Sequence, residues 1–190
     1  MIKIATDESD FLTLGKIEKI DKRTLVAGVG HRFWQDYSAG PAWIDRMKEI
    51  DWPEGLDVED YSFGALAMTQ NLQDVDYQRI VFLSAEARGR QPGTLHWYRY
   101  AAGEESPERV QAYVGESGGG VVAIDPLLSI AGHFGVLPPE TWVIELEPIA
   151  TKWGDEESRA IEANFSEVLQ RVRRLLSGDA PTKVEVRRDA

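Results

Sequence analysis

The sequence predicts an α/β fold, a three-layer arrangement in which a mostly parallel, twisted sheet of about five strands is flanked by helices. Residues 79–85 form a continuous apolar run, which is typical of a central parallel strand covered on both faces. Residues 158–176 carry apolar side chains at spacings of three and four, which predicts an amphipathic helix. Residues 24–40 pass from a short apolar run through a glycine turn and a polar loop to a helical pattern, as expected for the first unit of such a sheet.

Each element is predicted from a local pattern. Gly28 and Gly30 allow a sharp turn after the first strand, and Pro41 suits the first turn of the helix that follows. Asp125 has the residue type of a helix N-cap, and Gly132 is a stop signal at the other end of the same segment. The predicted strands cover residues 24–29, 56–61, 79–85, 94–100 and 141–146, and the predicted helices cover residues 39–50, 63–73, 125–132 and 158–176.

The domain boundaries are predicted from changes in composition. Residues 1–23 mix charges with isolated apolar positions and are predicted to be an N-terminal extension, residues 24–177 one α/β domain, and residues 178–190 a flexible polar tail. Inside the domain, the alternation of residues 94–100 predicts a strand at an edge of the sheet that can run antiparallel. Residues 110–114 are ambiguous between helix and strand.

Composition disfavours several classes of function. The chain of 190 residues has 21 Lys plus Arg and 32 Asp plus Glu, and this net charge of -11 argues against a nucleic-acid partner. The absence of cysteine removes disulfides, thiolate metal sites and a cysteine nucleophile. No apolar run approaches the roughly 20 residues that span a bilayer, and the N-terminus lacks the pattern of a secretory signal. We therefore expect a cytoplasmic protein that acts on neither nucleic acid nor membranes.

The candidate site lies at the carboxyl ends of the predicted strands, where open α/β sheets bind their ligands. His31, Asp36 and Tyr37 come after the first strand. Ser84 and Glu86 lie at the end of the central strand, and a carboxylate that leaves a buried strand is more suggestive than one on a helix face. These five residues are the predicted lining of a cleft.

Each polar candidate also has a structural explanation. Asp36 has the residue type of an N-cap or of a brace for the loop before the helix. Glu86 is followed by Arg88 and Arg90, so an exposed ion pair is an equally good interpretation. His31 is the best placed of the three histidines for a metal, but an ordinary surface or capping role explains it as well.

Three common functional patterns are missing from the sequence. Gly28-Val29-Gly30 lacks both the third glycine of the dinucleotide pattern and the Gly-Lys-Ser/Thr of the nucleotide-binding loop. No Gly-x-Ser-x-Gly elbow surrounds a serine, which disfavours a serine hydrolase.

The order of short motifs along residues 24–176 indicates a known family. The motifs are Gly28-Val29-Gly30-His31, Asp36-Tyr37-Ser38-Ala39-Gly40, Asp60-Tyr61-Ser62-Phe63-Gly64, Pro92-Gly93-Thr94, Asp125-Pro126-Leu127-Leu128, Glu147-Pro148 and Trp153-Gly154. In this order they resemble the hydrogenase maturation endopeptidases, which trim the C-terminal extension from the large subunit of nickel-iron hydrogenases after nickel is installed. The resemblance implies a twisted sheet flanked by helices, a cytoplasmic hydrolase, and a protein partner that is a hydrogenase large subunit or an assembly factor.

The resemblance also implies where a nickel ion would be recognised. The family coordinates nickel with a glutamate after the first aspartate, an aspartate leaving the central strand and a histidine before the later helix. Those positions hold Tyr37, Ser84 and Gly119 here, and His31 replaces the family's asparagine. Because hydroxyl groups are poorer ligands for divalent nickel than carboxylate or imidazole, we expect a degenerate nickel site with no metal or cofactor of its own. The nickel that the family recognises is carried by the substrate.

Two of the three functional hypotheses are enzymatic. A divergent maturation protease would still cleave a hydrogenase precursor, with His31, Asp36 and Glu86 in polar or metal-binding roles. An unrelated small-molecule enzyme on the same scaffold is the weaker rival, since a fold does not fix a function.

The remaining hypothesis is a non-catalytic relative that kept the fold and lost the metal site. It would bind a hydrogenase subunit or assembly factor, and Phe33, Trp34 and Tyr37 would form its contact surface. The alternative for Phe33 and Trp34 is burial in the core. The loss of three ligand positions favours this binding protein on chemical grounds.

Overall fold

A computed structural model describes residue 17 and residues 20–103, 105–117, 123–154, 159–181 and 184–188. Within these ranges the chain forms six strands, five α-helices and a single 3-10 turn over Gln35–Ser38. The strands are β1 (Thr24–Gly28), β2 (Leu56–Asp60), β3 (Arg79–Ala85), β4 (Leu95–Ala101), β5 (Glu140–Leu146) and β6 (Glu185–Arg188). The helices are α1 (Ala39–Met47), α2 (Ala65–Asp74), α3 (Pro107–Ser117), α4 (Ile124–His133) and α5 (Arg159–Leu176).

One sheet contains all of these strands, in the order β2-β1-β3-β5-β4-β6. β1 pairs in parallel with both β2 and β3, and β3 pairs in parallel with β5. β4 runs antiparallel to β5, and β6 runs parallel to β4. The predicted α/β fold with a mostly parallel sheet flanked by helices is therefore confirmed, and the predicted central strand matches β3 residue for residue.

Helices cover both faces of the sheet because alternate side chains of each strand point to opposite sides. On one face, Val81 and Leu83 of β3 share a buried cluster with residues of α1 and α5 such as Trp43 and Val168. On the other face, Phe82 belongs to a second cluster that includes residues of α2, α3 and α4. Two separate apolar layers therefore hold the central strand from both sides.

Part of the C-terminal segment belongs to the sheet. Glu185–Arg188 pairs with β4 as β6, and the expectation of a flexible tail stays a prediction for the rest of residues 178–190. The prediction that β4 lies at an edge is wrong for the same reason, whereas its antiparallel direction is confirmed. Arg187 explains the order, because its guanidinium lies 3.1 Å from the Asp125 carboxylate and donates to the Tyr98 hydroxyl at 3.3 Å.

Two further local predictions are corrected by the structure. The ambiguous residues 110–114 lie inside helix α3. Asp125 is not an N-cap, because α4 already begins at Ile124 and Ala123 occupies the cap position. Asp125 instead lies in the first turn, where Arg88 and Arg187 bind it.

Close packing of α1 on the ends of β1 and β3 explains the glycines of the opening motif. A Cβ atom at Gly40 would lie 2.3 Å from the Leu83 carbonyl oxygen and 2.4 Å from the Val29 carbonyl oxygen. A Cβ at Gly28 would lie 2.7 Å from the Gly40 carbonyl oxygen. The same holds at Gly30, where the atom would lie 2.1 Å from the carbonyl oxygen of Tyr37. Glycine is therefore required here for contact, and this contact brings the loop before α1 against the end of β3.

The beginning of the chain falls mostly outside the described ranges, so the prediction of an extension over 1–23 stays a prediction. Ile20 is buried and Ile17 packs against the same cluster. Among the helices that are described, none is long and apolar enough to cross a membrane.

Candidate functional site

A small cavity opens at the carboxyl ends of β1 and β3, where the fold predicts a ligand site. Its volume is about 170 Å³. The lining consists of Val29, Gly30, His31, Trp34, Tyr37, Ser84, Ala85, Glu86, Ala123 and Ile124. Four of the five predicted cleft residues therefore lie around one cavity, and Asp36 is the exception.

The end of β3 supplies a buried hydroxyl and a half-buried carboxylate. Ser84 is the sixth residue of β3, and its Oγ has no hydrogen-bond partner in the part of the chain that the structure describes. Glu86 follows the strand, and its backbone N–H donates to the Leu146 carbonyl at 3.1 Å. Burial raises the pKa of the Glu86 carboxyl, and the nearby Arg88 guanidinium opposes the shift. The site therefore holds an acid that is weaker than an exposed glutamate.

The loop after β1 supplies an imidazole and a phenol. The His31 backbone N–H donates to the Tyr37 carbonyl at 2.9 Å, and the His31 ring meets the Trp34 ring edge-on, with 5.1 Å between centroids. Burial lowers the pKa of the His31 imidazole. Burial also raises the pKa of the Tyr37 hydroxyl, and the Glu86 and Glu147 carboxylates reinforce that shift. At neutral pH the ring of His31 is uncharged and the phenol keeps its proton.

Asp36 braces a loop instead of lining the cavity. It is fully buried, and its Oδ2 accepts the backbone N–H groups of Ile149 at 2.6 Å and Ala150 at 2.8 Å. Its own N–H donates to the Ala150 carbonyl at 3.1 Å. Among the described residues, its Oδ1 has no partner. The loop-brace interpretation of Asp36 thus matches the geometry, although the braced segment is residues 149–150 and not the start of α1.

A buried charge network behind the cavity was missed by the sequence reasoning. Glu145 is fully buried in β5 and accepts hydrogen bonds from Arg88 at 3.0 Å and from Arg90 at 2.9 Å. The Arg88 guanidinium also makes two bonds to Asp125, of 2.6 and 2.7 Å. Among the described residues, both arginines therefore form their ion pairs with carboxylates other than Glu86. The sequence signal for this network was Glu145, an acidic residue inside the apolar run of β5. A buried charge needs a charged partner, so its position predicts a nearby arginine or lysine.

Glu147 fixes the loop that follows β3. Its carboxylate accepts the backbone N–H groups of Arg88, at 3.0 and 3.1 Å to the two oxygens, and of Gly89, at 3.0 Å. Its backbone carbonyl accepts the Gly93 N–H at 2.7 Å. These bonds hold the segment that carries Glu86 against the end of β5.

A group of exposed apolar side chains adjoins the cavity at Trp34. Phe33 and Trp34, which lie in the loop after β1, contact Trp153, with ring centroids 6.0 and 6.3 Å apart. Ile149, which Asp36 holds through its N–H, is also exposed. We call Phe33, Trp34, Ile149 and Trp153 the aromatic rim. Burial of Phe33 and Trp34 in the core, the alternative from sequence, does not occur, and the contributions of Ile149 and Trp153 were not predicted.

The metal-ligand prediction is only partly covered by the described residues. Tyr37 and Ser84 lie at the cavity, whereas Gly119 lies outside the described ranges. In those ranges, no group of three or more histidine, aspartate or glutamate side chains is close enough to hold a metal ion.

Comparison with known proteins identifies the fold. No family model and no curated protein matches the sequence. A hydrogenase 2 maturation peptidase from Thaumarchaeota archaeon SCGC_AB-539-E09 is 26% identical, with a TM-score of 0.56, and the match covers 82% of this chain and 99% of that chain. The hydrogenase maturating endopeptidase HybD from E. coli is 18% identical, with a TM-score of 0.58 and coverage of 83% and 94%.

An endopeptidase from Escherichia coli is 16% identical, with a TM-score of 0.63 and coverage of 86% and 95%. These matches span nearly the whole length of each compared structure. The resemblance predicted from the motif order is therefore supported by the fold. Over most of its length, this chain has the fold of the hydrogenase maturation endopeptidases.

Proposed function

We propose that this protein binds the C-terminal region of a nickel-iron hydrogenase large subunit at the cavity and does not cleave it by nickel-dependent proteolysis. The carrying observation is the set of side chains around the cavity, which offers one carboxylate, Glu86, and one imidazole, His31, beside the hydroxyls of Tyr37 and Ser84. Nickel recognition favours several carboxylate or imidazole ligands together. The shortage of such ligands among the described residues of this cavity supports a binding role.

The size of the cavity supports a protein partner over a small-molecule substrate. Small-molecule sites usually enclose about 300–1,000 Å³, whereas a cavity of about 150 Å³ takes a group the size of benzene. At about 170 Å³, this cavity fits one side chain of a polypeptide. The small-molecule enzyme is therefore the less favoured hypothesis.

The divergent protease is the alternative, and one observation favours it. His31 and Glu86, two of the three residues assigned to polar roles, do line the same cavity. The third, Asp36, has an oxygen committed to the backbone of residues 149 and 150 and is absent from the lining. A site shifted onto these three residues would lose that brace, which is why the binding role is preferred.

The test uses the purified full chain and a nickel-loaded large-subunit precursor. Mass spectrometry of the mixture reports release of the C-terminal peptide, and biolayer interferometry reports binding. We expect binding without release. Ala123→Phe, which places a ring at the cavity wall, should weaken binding about tenfold or more. Ala87→Phe, an exposed position outside the lining, should leave it unchanged.

The two halves of the proposal fail separately. Release of the C-terminal peptide would show proteolysis and refute the non-catalytic assignment. A precursor that does not bind the wild-type chain would refute the partner.

A further inference from the structure

We propose that the aromatic rim is a docking surface for an extended, apolar segment of a partner polypeptide, the segment adjoining the side chain that enters the cavity. The inference rests on the proposed function for the use of the cavity and adds a second contact of defined chemistry. The residues of the rim are unusually exposed, because 58% of the surface of Phe33, 64% of that of Ile149 and 76% of that of Trp153 is accessible to solvent. Contiguous exposed apolar side chains of this kind usually mark an interaction site.

The rim and the cavity form one continuous surface. Trp34 belongs to both, because it lines the cavity and its ring meets that of Trp153 nearly perpendicularly. On the cavity side, the Trp34 ring is also 6.3 Å from that of Tyr37. A polypeptide with one side chain in the cavity can therefore continue over Trp34 onto the rest of the rim.

The rim is held in place before any partner arrives. Trp34 and Gly154 form a parallel backbone bridge, and the Gly154 N–H donates to the Phe33 carbonyl at 2.9 Å. Asp36 fixes the beginning of the same segment through its bonds to Ile149 and Ala150. Ordering such side chains in advance removes part of the entropic cost of binding.

The area of the rim argues for a short segment and against a second copy of this chain. Scaled by their exposed fractions, its four side chains offer on the order of 500 Å². A stable interface between two proteins buries about 800 Å² on each partner. Two copies would also each bring a net charge of -11 to the contact.

The spacing of the rings indicates an extended segment. The centroids of Phe33 and Trp34 lie 6.0 and 6.3 Å from that of Trp153. Side chains on one face of an extended chain repeat at about 6.6 Å, twice the rise of about 3.3 Å per residue. Alternate residues of the partner can therefore meet successive rings, and aromatic or aliphatic side chains are the expected type.

A random-peptide display library selected on the full chain tests the inference without assuming a hydrogenase partner. We expect enrichment of peptides with apolar residues at alternate positions. Their affinity, measured by titration calorimetry, should fall about tenfold or more for Trp153→Ala, the usual effect of removing an anchoring aromatic residue. Phe134→Ala is the matched control, because Phe134 is a similarly exposed aromatic residue at the end of α4 and should have no effect.

Four results would overturn the inference. Selection could enrich no apolar peptides, or the selected peptides could bind Trp153→Ala as tightly as the wild type. A concentration-dependent dimer in light scattering that Trp153→Ala dissolves would assign the rim to a second copy. Binding of the hydrogenase precursor that is unaffected by Trp153→Ala would also refute the rim while leaving the proposed function intact. If the selected peptides depend on the rim but the precursor does not bind, the proposed function is refuted and the inference about the rim stands.

Discussion

Arg88 and Asp125 join the loop after β3 to the first turn of α4 through two parallel hydrogen bonds of 2.6 and 2.7 Å. Burial alone would raise the pKa of Asp125, but the hydrogen bonds and charges of Arg88 and Arg187 together outweigh that effect and hold this pKa below its ordinary value. The same guanidinium donates to buried Glu145, so one cation serves two carboxylates and fixes two walls of the cavity.

Loss of this cation is expected to be costly. Arg88→Met should lower the free energy of unfolding by about 3 kcal/mol, because Glu145 stays buried with fewer donors and Asp125 loses its bidentate partner. Lys48→Met, which removes an exposed pair with Glu59, should cost less than about 1 kcal/mol. Urea unfolding of both variants checks the difference, and equal losses would contradict it.

Asp36 is expected to matter for stability through the loop that it braces. Asp36→Ala should lower the free energy of unfolding by about 2 kcal/mol, since two backbone N–H groups lose a charged acceptor. Gln35→Ala removes one exposed bond, from the Lys152 N–H, and should cost less than about 1 kcal/mol. Thermal unfolding followed by circular dichroism compares them. An Asp36→Ala variant as stable as Gln35→Ala would refute the brace.

Gly40 is expected to tolerate no side chain. Gly40→Ala should destabilise the protein by about 3 kcal/mol, because the added methyl group meets two carbonyl oxygens of the packed strand ends. Gly115→Ala is the matched control in α3, where a Cβ meets nothing within 4 Å and helix propensity should stabilise the chain by up to about 1 kcal/mol. Chemical denaturation should show that the free energy of unfolding falls for Gly40→Ala and rises for Gly115→Ala. A Gly40→Ala variant as stable as the wild type would contradict the close approach of α1 to the strand ends.

Glu86 gives a pH-dependent prediction. Its pKa is raised in the folded state, so the folded chain holds this proton more tightly and ionisation of Glu86 costs stability as the pH rises. Glu86→Gln should therefore raise the free energy of unfolding at pH 7 relative to the wild type. This gain should disappear as the pH falls below the ordinary carboxyl value of 4.5.

Unfolding measured between pH 4 and pH 8 tests this sign. Glu49→Gln, at an exposed position after α1, serves as the control for removing a surface charge. A gain for Glu86→Gln that grows toward low pH would show that the burial argument has the wrong direction.

The predictable parts of this fold are those whose local pattern has a single structural solution. β3 is apolar throughout and α5 repeats its apolar residues with helical spacing, so both were located from sequence. His31, Tyr37, Ser84 and Glu86 meet at one cavity because the carboxyl ends of parallel strands share an edge of the sheet.

The parts that were missed depend on contacts between distant residues. β6 is short and charged, and only its pairing with β4 and the bonds of Arg187 explain its order. The rim needs Trp153 beside Phe33, although 120 positions separate them in the sequence. Asp36 was predicted to line the cleft because it follows the first strand at the expected distance along the sequence. Its carboxylate instead accepts a hydrogen bond from the Ile149 N–H, and spacing along the sequence does not determine that direction.

β6 has a consequence for the behaviour of the protein in solution. Without it, β4 would present a row of unsatisfied backbone donors and acceptors, the template on which other chains add as strands and aggregate. The four residues of β6 thus pair with the last four of the seven residues of β4. A chain shortened to residue 178 should bind its partner only as long as it escapes precipitation, and solubility is the property to monitor first.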